Sequence, residues 1–284
     1  MPSYFLGTFR PIMKNKLKQS ISYINNLTSE SPRLAIILGS GLGSFADLLT
    51  EPIKIPTKDI PYFPASTVKG HQGYLVFGNW QGMKLLALQG RTHYYEGYPV
   101  DKVTYVIRIF KALGVKTLII TNAAGGINKD FIPGDLMLIT DQINNMFQNP
   151  LRGPLIYGGE RFPDMSDSYS QKYFKLVHDV AEHNHIKLKT GTLYVSSGPS
   201  YETAAEVRMI RKIGGDAASM STVPEIIVAN QCGLETIGIS CITNYATGLT
   251  DQPLNHDEVT ETARLVQEKF LKLISGIILR IGQY

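Results

Sequence analysis

Two side chains with complementary proton chemistry stand two residues apart just after a glycine, in Gln89-Gly-Arg91-Thr-His93-Tyr-Tyr95. A guanidinium grips a tetrahedral anion through paired hydrogen bonds, and an imidazole beside the same anion holds or donates a proton. In an extended segment Arg91, His93 and Tyr95 share one side. The aromatic run Tyr94-Tyr95-Glu96-Gly97-Tyr98 sets the group apart from a plain solvated face. A second anion-binding candidate is Gly39-Ser40-Gly41-Leu42-Gly43, which offers backbone N–H groups, a hydroxyl and room for close approach, or else is simply a tight turn. It is no Walker loop, because no Gly-Lys-Ser/Thr follows, and Ser44 stands where a dinucleotide fingerprint needs its third glycine.

Further candidates lie downstream. Asn122-Ala-Ala-Gly-Gly126 offers bare backbone at a strand end, as an N–H donor to the same anion or as a helix-packing turn. Ser221 precedes Thr222-Val-Pro-Glu225, which has capping-box spacing with Pro in the first turn, so the partial positive charge of a helix N-terminus would lie beside a hydroxyl. Glu202 follows Gly198-Pro-Ser-Tyr201 and reads either as a first-turn helix carboxylate or as an acceptor in a site. Asn244 ends an apolar strand, an unusual place for a residue that disfavours strands. His71 sits in a loop beside Gly70, and His256 follows Asn255 at the start of the last helix. His178, His183 and His185 lie on or just past a polar helix without nearby cysteines, so no metal site is expected.

The elements that must position these residues recur as strand, loop, helix. Leu17, Ile21, Ile24 and Leu27 share a helical face, and Leu34–Leu38 is a continuous apolar run ending in the glycine loop. Strands are predicted at Leu75–Phe77, Lys84–Leu88, Lys116–Thr121, Asp135–Asp141, Gly191–Ser196, Asp216–Met220 and Thr236–Thr243. Helices are predicted through Val103, Val106, Phe110 and Leu113, and near Ser168–Asn184, Glu202–Lys212, Pro224–Cys232 and Asp257–Arg280. Apolar strands alternating with helices imply an α/β fold: one domain over residues 1–284, with a mixed, mostly buried β-sheet flanked by helices on both faces. Ligands in such folds sit at the carboxyl ends of the strands. The candidate residues fall at those ends.

Composition narrows the partners. Among 284 residues, 28 Lys and Arg stand against 24 Asp and Glu, a net +4 spread without long basic runs, which favours a small anionic ligand over nucleic acid. The longest uninterrupted apolar run, Leu34–Leu38, is far short of the ~20 residues needed to cross a bilayer, and the first fifteen residues lack a signal core. Neither membrane insertion nor secretion is expected. The two cysteines, Cys232 and Cys241, form no CxxC, and a reducing cytoplasm is the expected setting.

Taken in order, several segments closely resemble the trimeric purine nucleoside phosphorylase family. They are Gly39–Gly43, Gly70-His71, Gln89–Tyr98, Thr121–Gly126, Asn149-Pro-Leu-Arg-Gly153, Ser197-Gly-Pro-Ser-Tyr-Glu-Thr203, Met220–Glu225 and Ile242-Thr-Asn244, so the likeness runs from about Leu34 to His256. It implies the nucleoside phosphorylase fold, a homotrimer, and cleavage of 6-oxopurine nucleosides by inorganic phosphate as co-substrate, with no metal or organic cofactor. Phosphate would be held by Ser40, His71, Arg91, His93, Ser221 and the Ala123 N–H. The base would lie by Tyr201, Glu202, Ala218, Met220 and Asn244, and the ribose by Tyr95, Met220 and His256. Asn244, Glu202, His93 and His256 would carry the catalysis. Three departures stand out: Ser219 replaces a common Gly, Tyr201 replaces a common Phe, and Leu155–Gly159 is one residue short, with Tyr157 in place of a Phe that covers the ribose of a neighbouring subunit.

Three other readings are distinguishable. A methylthioadenosine phosphorylase shares the fold but resembles an Asp-bearing 6-aminopurine site where this chain has Asn244. A dinucleotide-binding oxidoreductase needs the missing third glycine. A non-catalytic nucleoside-binding module has no need of Glu202, Asn244 and His256 together.

Overall fold

The structure is a computed structural model that describes residues 4–68, 72–155, 157–250, 261–262 and 264–283. The run Leu34–Leu38 forms β1 at the centre of a nine-stranded sheet, parallel to β4 (Met83–Gln89) on one side and β5 (Thr117–Gly126) on the other. Its side chains alternate between two apolar layers. Ala35 and Ile37 face helices α1 (Tyr4–Leu27), α3 (Tyr105–Ala112) and α6 (Val223–Gln231), while Leu34, Ile36 and Leu38 face α4 (Phe174–His183) and α7 (Gln267–Ile281). That two-sided burial is why β1 reads as an unbroken apolar run. The helices on both faces match the expected α/β class.

Beyond β4 the sheet continues through β3 (Tyr74–Trp80) to β2 (Thr50–Pro56), both antiparallel. The sequence shows no sign of β2, since Pro52 and Pro56 interrupt it and its first five residues are exposed, as an edge strand tolerates. On the other side the order runs β5, β8 (Ala217–Ser219), β7 (Lys189–Val195), β6 (Leu136–Asn144) and β9 (Glu235–Tyr245), and β9 pairs back onto β5. Five strands thereby close into a ring that shares β5 with the open sheet.

The ring corrects the reading of Asn122–Gly126 as a strand-end loop. The segment continues β5, because β9 and β8 accept and supply its backbone hydrogen bonds on either side. Its glycines make room for those neighbours: a Cβ on Gly126 would lie 3.0 Å from Ile242, and one on Gly125 3.2 Å from Asn244 Nδ2. Close approach also explains Gly39, where a Cβ would stand 2.7 Å from Asn122 Cα. The Gly39 N–H donates to Thr121 Oγ1, which itself donates to the Ile37 carbonyl, so the end of β1 is tied to the middle of β5.

Two helix boundaries differ from expectation with consequences for function. The 202–212 helix, α5, begins at Ala204 with Thr203 as its cap and Glu206 closing a capping box, so Glu202 precedes the helix and is no first-turn carboxylate. The short α2 (Val100–Val103) precedes α3, and Tyr94–Glu96 forms a 3-10 turn, so the extended geometry expected after Arg91 ends at His93.

Candidate active site

One pocket opens where the carboxyl ends of β1, β4, β5 and β9 meet the turn between β8 and α6. Ser40, Arg91, His93, Tyr95, Ala123, Tyr201, Glu202, Ala218, Met220, Ser221 and Asn244 all line it. These eleven come from segments up to about two hundred residues apart in the chain. Gly39, Asn122, Ala124, Gly125, Ser219, Thr243 and Ala246 complete the wall, and of these only Ala246 lies outside the segments the sequence singled out. His71 and His256 lie outside the described residues. Tyr157 does not reach this pocket in its own chain: its ring lies under Arg108, 5.1 Å from the guanidinium carbon, and lines a separate cavity with Pro99 and Arg152.

The anion end is built around a buried charge pair. Arg91 is 2% exposed, and its Nη1 donates to Thr222 Oγ1 at 3.2 Å and to Glu225 Oε1 at 3.4 Å, while Nη2 donates to the Thr121 carbonyl. Burial disfavours the charged form of both partners, lowering the Arg91 pKa and raising that of Glu225, and their mutual attraction opposes each shift. A guanidinium stays protonated even so, and its fork of five N–H donors is fixed at the pocket wall. Thr222 and Glu225 were legible only as a helix cap. Their second role, holding Arg91 from behind, has no local sequence signal, because the pair is separated by 134 residues.

His93 is held by its neighbour along the 3-10 turn. Glu96 Oε1 accepts from the His93 backbone N–H at 2.6 Å and lies 3.1 Å from ring Nδ1. Burial would raise the Glu96 pKa, but hydrogen bonds from His93 and from the N–H and hydroxyl of Thr67 outweigh it and bring it to about 2. The carboxylate is therefore ionised at neutral pH and favours the tautomer with a proton on Nδ1. The His93 ring stacks on Tyr95, with centroids 4.7 Å apart. Burial chiefly pushes the Tyr95 hydroxyl up to about 12, which keeps it a neutral hydrogen-bonding group.

The same pocket also carries an amide and a carboxylate. Ser196 Oγ donates to Glu202 Oε1 at 2.8 Å. Asn244 Oδ1 accepts from Thr243 Oγ1 and its Nδ2 donates to the Tyr245 carbonyl, each at 2.9 Å. Tyr201 is 39% exposed at the rim, where a planar ring can stack on it. Ser219, in place of the common Gly, turns its hydroxyl to the Ala123 carbonyl at 3.0 Å and so bridges β8 to β5. The pocket thus joins an anion cradle to a slot with a carboxylate acceptor and an amide.

The model of the phosphorylase superfamily matches residues 33–279 of this chain. The chain belongs to that superfamily. This phosphorylase is 52% identical to purine nucleoside phosphorylase 1 of Geobacillus stearothermophilus over 93% of its own length and 97% of the relative's. It is 44% identical to the purine nucleoside phosphorylase of Bos taurus, covering 89% and 91% of the two chains. A crystal structure of a Schistosoma purine nucleoside phosphorylase in complex with hypoxanthine superposes on it with a TM-score of 0.88 at 39% identity, over 93% and 96% of the two chains. The Schistosoma mansoni enzyme in complex with inosine gives the same TM-score at 38% identity, over 93% and 95%. Among the described residues of the phosphorylase no helix is long and apolar enough to cross a membrane.

Proposed function

We infer that this chain is a purine nucleoside phosphorylase that cleaves 6-oxopurine ribo- and deoxyribonucleosides with inorganic phosphate, giving the free base and the pentose 1-phosphate. The observation that carries this reading is the pocket that Arg91, His93, Ser40 and Ser221 line together with Glu202 and Asn244. Breaking the bond between C1′ and N9 builds oxocarbenium character on the sugar and negative charge on the purine. A phosphate held beneath the sugar answers the first charge, and hydrogen-bond donors on the base answer the second. A phosphate oxygen forms the new bond to C1′ while the C1′–N9 electron pair leaves with the purine, and the proton that the hydrogen phosphate gives up on becoming the pentose 1-phosphate dianion is taken up by the purine at N7.

Each group then has a role. Arg91, Ser40, Ser221, His93 and the Ala123 N–H bind phosphate and hold it in line, which turns a bimolecular encounter into a positioned attack. His71 would add to that set. Glu202 accepts from N1–H of the 6-oxopurine, and the Asn244 amide donates to N7 or O6 as charge develops. Ala218 and Met220 flank the base, Tyr201 stacks on it, and Tyr95, Met220 and His256 contact the ribose. Phosphate is itself the nucleophile, so no metal or organic cofactor is called for. The enzyme acts as a homotrimer in the cytoplasm, with Tyr157 offered to a neighbouring subunit's ribose.

Incubation with inosine, with and without phosphate, tests the reaction. Hypoxanthine should form only when phosphate or arsenate is present, and equal release without either would mean a hydrolase. Dialysis against a chelator should leave the rate unchanged. Light scattering should give three times the chain mass, and an active monomer would exclude any contribution of Tyr157 from a neighbour.

A further inference from the structure

The turn between β8 and α6 holds a residue in a conformation that its side chain disfavours. Thr222 has φ 84° and ψ −54°. The Val223 N–H bonds to the Ser221 carbonyl at 3.0 Å. Together these are the geometry of a γ-turn of the rare, strained hand, centred on a β-branched residue that is 0% exposed. Such strain persists only where the surroundings over-determine it. Here the turn reverses the chain within three residues, so that Met220 and Ser221 line the pocket while Thr222 points behind it.

Behind the pocket the Thr222 hydroxyl has three partners. Its oxygen accepts from Arg91 Nη1 at 3.2 Å and from Asn122 Nδ2 at 2.9 Å, and it lies 3.4 Å from Ser221 Oγ. Its backbone N–H donates to Glu225 Oε2 at 3.0 Å. A hydroxyl has two lone pairs and one proton. Arg91 and Asn122 occupy the lone pairs, so the proton is left for Ser221 Oγ, and the Ser221 proton is in turn directed away from Thr222, into the pocket.

We propose that Thr222 is a positioning residue for phosphate: its hydroxyl fixes the Arg91 fork and orders the Ser221 hydroxyl as a donor to the anion. The proposal rests on the phosphorolysis reading above. Thr222 touches no reacting atom, so its effect should fall on phosphate and spare the nucleoside. A merely structural role for the helix cap would weaken both substrates alike.

Steady-state inosine phosphorolysis, with each substrate varied at saturation of the other, separates these cases. Thr222→Val keeps the shape and removes the acceptor, and it should raise KM for phosphate about tenfold, as expected for loss of a hydrogen bond to a charged group, with KM for inosine within about twofold of wild type. Thr222→Ser keeps the hydroxyl and should stay within about threefold of wild type for phosphate. If Thr222→Val does not fold, Asn122→Ala decides instead: it releases one of the two donors and should raise the phosphate KM about threefold while sparing inosine. A phosphate KM at the wild-type value, or equal losses for both substrates, overturns the proposal. Wild-type protein that releases no hypoxanthine with phosphate present refutes the phosphorolysis reading itself, whereas an active wild type with an unaltered Thr222→Val refutes only the role of Thr222.

Discussion

Arg91 and Glu225 meet at 3.4 Å with both side chains 2% exposed, one from the loop after β4 and the other from the first turn of α6. A pair this deep forgoes hydration of two ions, and it holds only while each charge has the other and its hydrogen bonds. The arrangement places a fixed positive group at the pocket wall with its charge already compensated by Glu225.

Removing one partner should therefore be costly. Glu225→Ala is expected to lower unfolding stability by about 3–5 kcal/mol in a denaturant titration. Because a bound oxyanion would replace the lost negative charge, added phosphate should raise the melting temperature of Glu225→Ala more than that of wild type. An equal phosphate-induced rise in both would show that the anion does not sit beside Arg91.

The Glu96–His93 contact gives a pH signature. Glu96 is depressed to about 2 from an ordinary 4.5, so its contribution to stability is complete above about pH 4.5 and is lost as the pH falls towards 2. Glu96→Gln should destabilise the protein at pH 7 and make little difference at pH 2. The same variant releases the His93 ring, and a fall in phosphorolysis of about tenfold at pH 7 is expected. Unfolding curves at several pH values, with wild type alongside, check both parts.

Ser196→Ala tests how Glu202 is held. The 2.8 Å bond from Ser196 Oγ is charge-assisted and fixes one carboxylate oxygen, leaving the rest of the group to face the base. Its loss should reduce kcat/KM for inosine about tenfold and leave KM for phosphate unchanged. A change in the phosphate KM instead would mean that Glu202 belongs to the anion end.

Asn244→Asp addresses the choice of base. Thr243 Oγ1 already satisfies Oδ1, so the group available to change is the amide donor, and an ionised Asp only accepts. A 6-oxopurine offers an acceptor at position 6 and a 6-aminopurine a donor. The ratio of kcat/KM for inosine over adenosine should fall by roughly one to two orders of magnitude. Glu202→Ala, the control, should harm inosine turnover without creating a preference for adenosine. An unchanged ratio in Asn244→Asp would show that Asn244 does not read position 6.

By itself the sequence determined the layered architecture and the chemical inventory of the site. Leu34–Leu38 is apolar throughout because β1 is buried on both faces, and a local pattern suffices to show that. Arg91, His93, Glu202 and Asn244 stood out because charged and amide side chains at strand ends are costly to place without purpose.

Only the tertiary structure decided that Asn122–Gly126 is strand, since glycine propensity argues against it and the pairing comes from β9, more than a hundred residues later. Likewise, capping-box spacing reports the local half of Thr222 and Glu225, but their grip on Arg91 joins residues 131 and 134 positions apart. Hydrogen bonds and ion pairs depend on distance in space, and the closing of β9 onto β5 is what converts one kind of distance into the other.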